Sequence, residues 1–362
     1  MIELIPIELY TPIYFHILLV VVLVIFSHSM STPLGSITNL ETIKSFGFFL
    51  LFFVVLYMGL RPIHGVFVDM KTYARMYEVL RITNMRFDFH DPVFGNFMFL
   101  SSKIMSAKAF FFLCAVLYVL PLYVVSKKWF NAYWVYAFLF LVASFSFWAY
   151  GVNGIRNGIA TSLFLMGVSR EKRIYQGGWI VLSIGFHLSM LLPAIGFILA
   201  NIHNAPKKFL IFWLVSIPLS LLAGSSFQTL FARLITDDPR MSNYLTTEVS
   251  AGRFSRVGFR WDFLVYSATA VFAGWYYIFR KQFNDKTYFW LFNTYLFANA
   301  FWILVIRANF SNRFAYLSWF MMAFIIIYPL LKKIILVEQH QKIGTILMAY
   351  YMFTYIMAIF IN

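Results

Sequence analysis

Apolar runs long enough to cross a bilayer recur along this 362-residue chain, and short loops rich in lysine and arginine separate them. A spanning helix needs roughly 20 apolar residues, because the hydrocarbon core holds no water to satisfy backbone N–H and C=O groups. Runs near 12–30, 45–60, 107–125, 133–150, 156–169, 179–202, 209–227, 261–279, 288–306, 314–331 and 343–360 approach that length, about eleven segments in all. Against 61% hydrophobic and 21% aromatic residues only 12% are charged, and a soluble domain could not hide that much apolar surface. The expected fold is therefore all-α, a polytopic integral membrane protein forming one domain over residues 1–362. Two long loops, 61–106 and 228–260, interrupt the pattern. The first run has no basic segment before it and no small-residue cleavage site after it, so it is expected to stay in place as a span.

The net charge of +15 would suit a nucleic-acid partner if it formed one patch. Instead it is spread over Lys127-Lys128, Arg170 with Lys172-Arg173, Lys207-Lys208, Arg280-Lys281 with Lys286, and Lys332-Lys333 with Lys342. That is the distribution of the positive-inside rule, so the expected partner is the lipid bilayer, with no nucleic acid. The rule puts these clusters on the cytoplasmic side, and both termini and both long loops on the periplasmic side. One run conflicts with a simple crossing, because 179–202 lies between two basic loops. Gly185, His187, Ser189 and Pro193 interrupt it, which suits a broken or re-entrant segment lining a protein interior. The alternative is an ordinary crossing that leaves Lys207-Lys208 outside.

Polar residues inside or beside such runs are the candidate functional groups. Arg156 stands out within Asn153-Gly154-Ile155-Arg156-Asn157-Gly158-Ile159-Ala160, squeezed between two apolar runs. A guanidinium keeps its proton and needs an anionic partner, a wet cavity or a snorkelling route. Asn153 and Asn157 add amide hydrogen-bonding capacity beside it. Arg307 and Arg313 also sit at ends of an apolar run, and Arg253, Arg256 and Arg260 fall at helical spacing before Trp261. Grouped guanidiniums suit phosphate oxygens through bidentate contacts, while the plainer alternative is a set of headgroup anchors. Asp69, Asp91 and His187 are titratable candidates for a proton-accepting role. An acid near these arginines would equally serve as a structural ion-pair partner, and a lone histidine in an apolar run as a satisfied core residue. No ligand cluster at metal spacing, no Asp-x-Asp, no Walker loop and no Gly-x-Ser-x-Gly elbow occurs, so neither a metal nor a cofactor is expected. The single cysteine, Cys114, lies in an apolar run.

Four of these segments are similar, in the same order, to motifs of the EpsG-like branch of the Wzy-type polysaccharide polymerases. "NGIRNGIA" around Arg156 resembles that family's F-N-x-I-R-Q-x-I-A signature, and "SNRFAYLSWF" around Arg313 resembles its S-R-[ILF]-x-x-Y-F stretch. Asp69 to Tyr73 resembles D-x-x-x-Y, and Phe186-His187-Leu188-Ser189 resembles F-H-x-S. Asp91-Pro92 departs from the acidic-Gly-aromatic element expected there.

The resemblance implies a GT-C-like polymerase of the bacterial inner membrane that faces the periplasm. Such an enzyme joins undecaprenyl-pyrophosphate-linked oligosaccharide repeat units into O-antigen, capsule or exopolysaccharide. It also implies donor and acceptor glycolipids as substrates, with a chain-length regulator and a flippase as neighbours in the pathway. On that basis Arg156, Arg313, Arg253, Arg256 and Arg260 would bind pyrophosphate, and Tyr73, Asn153 and Asn157 would add further substrate contacts. The other class with a use for a cationic cavity is a lipid-linked oligosaccharide flippase, but no paired halves are visible in the sequence. A sugar O-acyltransferase would want a membrane-embedded histidine with acidic company, and His187 alone does not make that case.

Overall fold

The computed structural model describes residues 5–83, 87, 90–234, 258–308 and 311–361. Among these residues every regular element is helical. Six helical stretches are long and apolar enough to cross a membrane: Ile7–Ser31, Ile37–Gly59, Ala107–Val142, Pro206–Phe231, Ser311–Lys332 and Gln339–Ile361. Two shorter apolar helices, Ile155–Val168 and Leu188–Ile202, accompany them. The chain divides into two compact units, one of residues 1–188 and 327–362 and the other of residues 189–326.

The first unit holds α1 (Ile7–Ser31), α2 (Ile37–Gly59), α3 (Val68–Thr83), α4 (Pro92–Ile104), α5 (Ala107–Phe130), α6 (Trp134–Val142), α7 (Phe147–Val152), α8 (Ile155–Val168) and α9 (Arg173–Phe186). The end of α15 (Met322–Lys332) and all of α16 (Gln339–Ile356) complete it. Ser36 and Ser106 start α2 and α5 by accepting hydrogen bonds from Asn39 N and Ala109 N, which satisfies N–H groups that a helix start leaves open.

Helices with apolar faces all round gain little hydrophobic drive from meeting in lipid, so polar contacts and close packing hold them. Tyr10 and Tyr57 clasp α1 to α2, each hydroxyl donating to the other residue's carbonyl at 2.5 and 2.9 Å. Tyr351 Oη and Thr354 Oγ1 on α16 donate to Phe15 O and Ala143 O. These contacts sort the unit into two ends. Tyr10, Tyr57 and Arg61 lie at one of them. At the other, Lys332 lies over the Phe130 ring and Lys128 Nζ is 3.6 Å from Glu171.

Residues 61–106, expected as a loop, fold into α3 and α4. In α3, Met70, Tyr73, Tyr77 and Leu80 are buried at spacings of three and four, so a helix hides one apolar face despite its charged sequence. The run expected at 133–150 is broken between α6 and α7, and 179–202 breaks after Phe186.

The second unit holds α10 (Leu191–Ile202), α11 (Pro206–Leu234), α12 (Trp261–Trp275), α13 (Lys286–Leu304), α14 (Ser311–Trp319) and the start of α15. A buried polar hub joins its helices. Asn299 accepts from Trp213 Nε1 at 2.7 Å and donates to Ser267 Oγ and Ser318 Oγ, while Trp319 Nε1 reaches the same Ser267 Oγ. Of the expected loop 228–260, α11 takes residues to Leu234, and most of the rest lies outside the described residues.

Candidate functional site

A cluster of charged side chains in the first unit centres on Asp91, whose side chain is only 4% exposed. Asp91 is the N-cap residue of α4, with Pro92 at the first helical position, where a missing N–H costs nothing. Its side chain makes no capping hydrogen bond. It turns away instead: Arg156 Nη1 donates to Oδ2, and Leu188 N donates to Oδ1 at 2.9 Å. His187 Nδ1 lies 3.8 Å from that same Oδ1. Three segments separated by 65 and 97 residues in sequence thus converge on one carboxylate.

Local chemistry explains how each arrives. The helix α9 ends at Phe186, and His187 takes an extended conformation (φ −156°, ψ 115°). This frees the N–H of Leu188, which would otherwise continue the helix, for Asp91. Gly185 lets α9 press on α4, since a Cβ there would stand 2.4 Å from Val93 Cγ2. On the other side, α7 stops at Val152 and α8 starts at Ile155, with Asn153 N and Gly154 N both donating to Ala149 O at 2.9 Å. Gly158 closes the corner, because its Cβ position is 2.7 Å from Tyr150 O and only glycine permits that approach. Arg156 therefore sits in the first turn of α8, held by backbone on both sides.

Aromatic rings complete the surroundings. The guanidinium of Arg156 lies 5.7 Å from the Tyr73 ring centroid and 5.9 Å from that of Phe94, within cation–π range. The Tyr73 phenol is close enough to Arg156 to feel its charge. Burial pushes the Tyr73 phenol above its ordinary value, and the charge of Arg156 pulls it partly back, so Tyr73 is a neutral donor at physiological pH. Asp69, in the first turn of α3, is close enough for its charge to act on both Tyr73 and Arg156.

A carboxylate buried to this degree is stable only when paired and hydrogen-bonded, and Arg156 with the Leu188 N–H does both. The cluster is not sealed, however. The side chains of Arg156 and His187 remain 20% and 23% exposed, so an incoming molecule can reach both. Asn153 adds a buried Oδ1 without a hydrogen-bond partner among the described residues. Asn157 is half-buried in the first turn of α8, one residue beyond Arg156. Among the described residues no three His, Cys, Asp or Glu side chains are grouped so as to hold a metal ion.

The structure thus brings Asp69, Tyr73, Asp91, Asn153, Arg156, Asn157 and His187 to one end of the first unit. Arg313 and Arg260 belong to the second unit. Arg313 lies in the first turn of α14, beside Tyr316, which hydrogen-bonds Asn312. Arg260 is already engaged by its own neighbour: its fork meets Asp262 at 3.0 and 2.7 Å, and it lies 3.7 Å from the Phe263 ring centroid. Arg253 and Arg256 lie outside the described residues. Sequence inspection missed Phe94, the Leu188 N–H and Arg61. The Asp91-Pro92 pair was a usable sign of a helix start, but nothing in sequence separation announced its partners.

No curated protein and no solved structure matches the chain. A family model does, over residues 44–362, which include every residue of the Asp91 cluster: the chain belongs to the EpsG family.

Proposed function

We propose that this protein polymerises lipid-linked oligosaccharide repeat units, and that the Asp91 cluster is where it does so. Membership of the EpsG family supports a polysaccharide-polymerase type of role. The observation that carries the assignment of the site is the convergence of Arg156, Asp91 and His187 from three distant segments, with arginine and histidine left partly open.

In this proposal the donor is a glycan on undecaprenyl pyrophosphate, and the open part of the Arg156 fork contacts its phosphate oxygens. Asp91 orients Arg156 and His187 and is too fully engaged to act as the base itself. His187 takes the proton from the acceptor sugar's hydroxyl as that oxygen attacks the anomeric carbon. The new C–O bond forms opposite the breaking one, so the centre inverts, and the electron pair leaves with the pyrophosphate. Guanidinium charge stabilises the negative charge that develops there, with Tyr73 donating beside it. Asp69 is the alternative proton acceptor. Arg313 and the arginines before Trp261 are further cations suited to phosphate oxygens of the donor lipid, and the product is O-antigen, capsule or exopolysaccharide.

The basic residues gathered at the far end of the first unit support an orientation in which the Asp91 cluster faces the periplasm across the inner membrane. A flippase that moves the same lipid is the other class with a use for such a cluster. Reconstitution of the purified protein in liposomes with lipid-linked repeat units, in excess chelator, separates the two. A ladder of polymerised glycan is the expected result. Transfer of the lipid between leaflets with no ladder would overturn the polymerase assignment, and a ladder that needs added magnesium would overturn its metal independence.

A further inference from the structure

Among the described residues Arg61 is the most thoroughly buried charged side chain outside this cluster, with the residue only 3% exposed. It follows the end of α2 by two residues, at the same end of the unit as Tyr10 and Tyr57. A guanidinium so deep is expected to face a carboxylate. Here its hydrogen bonds go to two backbone carbonyls, Met58 O at 2.5 Å and Val152 O at 3.2 Å. Its charge lies over the rings of Phe67 and Phe111, at 5.8 and 5.7 Å from their centroids. Its Nε is buried without a hydrogen-bond partner among the described residues. Such an arrangement is costly, and a methionine of similar length would fill the space with no unpaired polar atom.

What the cost secures is visible in the chain that follows Val152. This carbonyl is the last of α7, and Arg156 comes four residues later. Between them the backbone has almost no freedom: Asn153 N and Gly154 N share Ala149 O, Gly158 N returns to Gly154 O, and Gly158 packs on Tyr150 O. A force applied at Val152 is therefore passed to the start of α8 instead of being absorbed by a loop. We propose that Arg61 is a positioning residue, which holds the end of α7 and thereby sets where Arg156 stands beside Asp91. The proposal takes Arg156 as a substrate-contacting group and so rests on the function proposed above. Arg61 itself touches no substrate.

Hydrogen exchange on the full-length protein in lipid nanodiscs tests the placement without relying on activity. In Arg61→Met, the peptide covering 150–160 is expected to exchange about tenfold faster, with the middle of α5 unchanged. Polymer formation should fall by about the same factor, and the double variant Arg61→Met with Arg156→Lys should be little worse than the Arg156→Lys variant alone, because both act through one contact. If Arg61→Met does not fold, Arg61→Lys keeps the charge but cannot span both carbonyls with a fork, and should show the same localised change at smaller size. Unchanged exchange at 150–160, or an equal rise throughout α5, would overturn the proposal. So would losses of activity that multiply in the double variant, since that marks independent support of the fold. The localised exchange change in Arg61→Met, together with a parent protein that forms no polymer, would uphold the clamp and remove the polymerase assignment.

Discussion

The two ends of the first unit each bury a polar cluster among apolar helices, yet only one of them is finished. At the basic end, Tyr136 Oη bridges Asn39 Oδ1 and His340 Nε2, while His28 Nε2 meets the same Asn39 oxygen at 2.9 Å and His340 Nδ1 meets Thr32 O. Asn39 and Tyr136 are 0% exposed and His340 is 4% exposed, so this network joins α1, α2, α6 and α16 and presents little to a ligand. At the other end Asp91 is equally deep, but its partners Arg156 and His187 reach outward. A closed network serves to hold helices together, whereas a partly exposed one can also be reached by a ligand.

The comparison is broken most directly at Asp91. Replacing it by Ala removes the partner of Arg156 and the acceptor of Leu188 N–H together, and should cost about 3 kcal/mol of stability as well as nearly all polymer formation. The Asp91→Asn variant should recover much of the melting temperature but little of the activity. If Asp91→Asn forms polymer like the parent, the cluster is only structural. The His187→Ala variant comes next, with polymer formation falling about 100-fold, as for loss of a general base. Its melting temperature should move less than that of Asp91→Ala, because the His187 side chain is partly exposed. A large drop in melting temperature with activity intact would place His187 among the helix-joining groups. Smallest is Tyr136→Phe at the closed end, which should cost about 1 kcal/mol in stability and leave activity per folded molecule unchanged. Loss of activity there would mean that the basic end is not mere support.

Hydropathy alone made the all-helical, multi-span membrane class legible, because the bilayer forces backbone pairing within each helix. The break at His187 was also legible, from Gly185 and Pro193 in an apolar run. The α3–α4 pair was not, since its charges masked a stripe of Met70, Tyr73, Tyr77 and Leu80 at helical spacing. Arg156, Asp91 and His187 were each noticeable as misplaced polar residues, but their convergence is a property of packing between segments far apart in sequence. Arg61 went unremarked because it begins a stretch that looked like solvated loop. Arg260 shows the opposite failure: Asp262, two residues on, already offered it a partner that sequence inspection passed over.

Binding of a polyprenyl pyrophosphate lipid tests most directly whether the open cluster is where the substrate's anion is held. Affinity measured for the parent, Arg156→Lys and Tyr136→Phe proteins in the same nanodiscs should be about tenfold weaker for Arg156→Lys, which loses the planar fork while keeping charge. Tyr136→Phe should bind like the parent. Parent-like affinity in Arg156→Lys, or equal weakening in both variants, would contradict the division of the unit into an open working end and a closed supporting one.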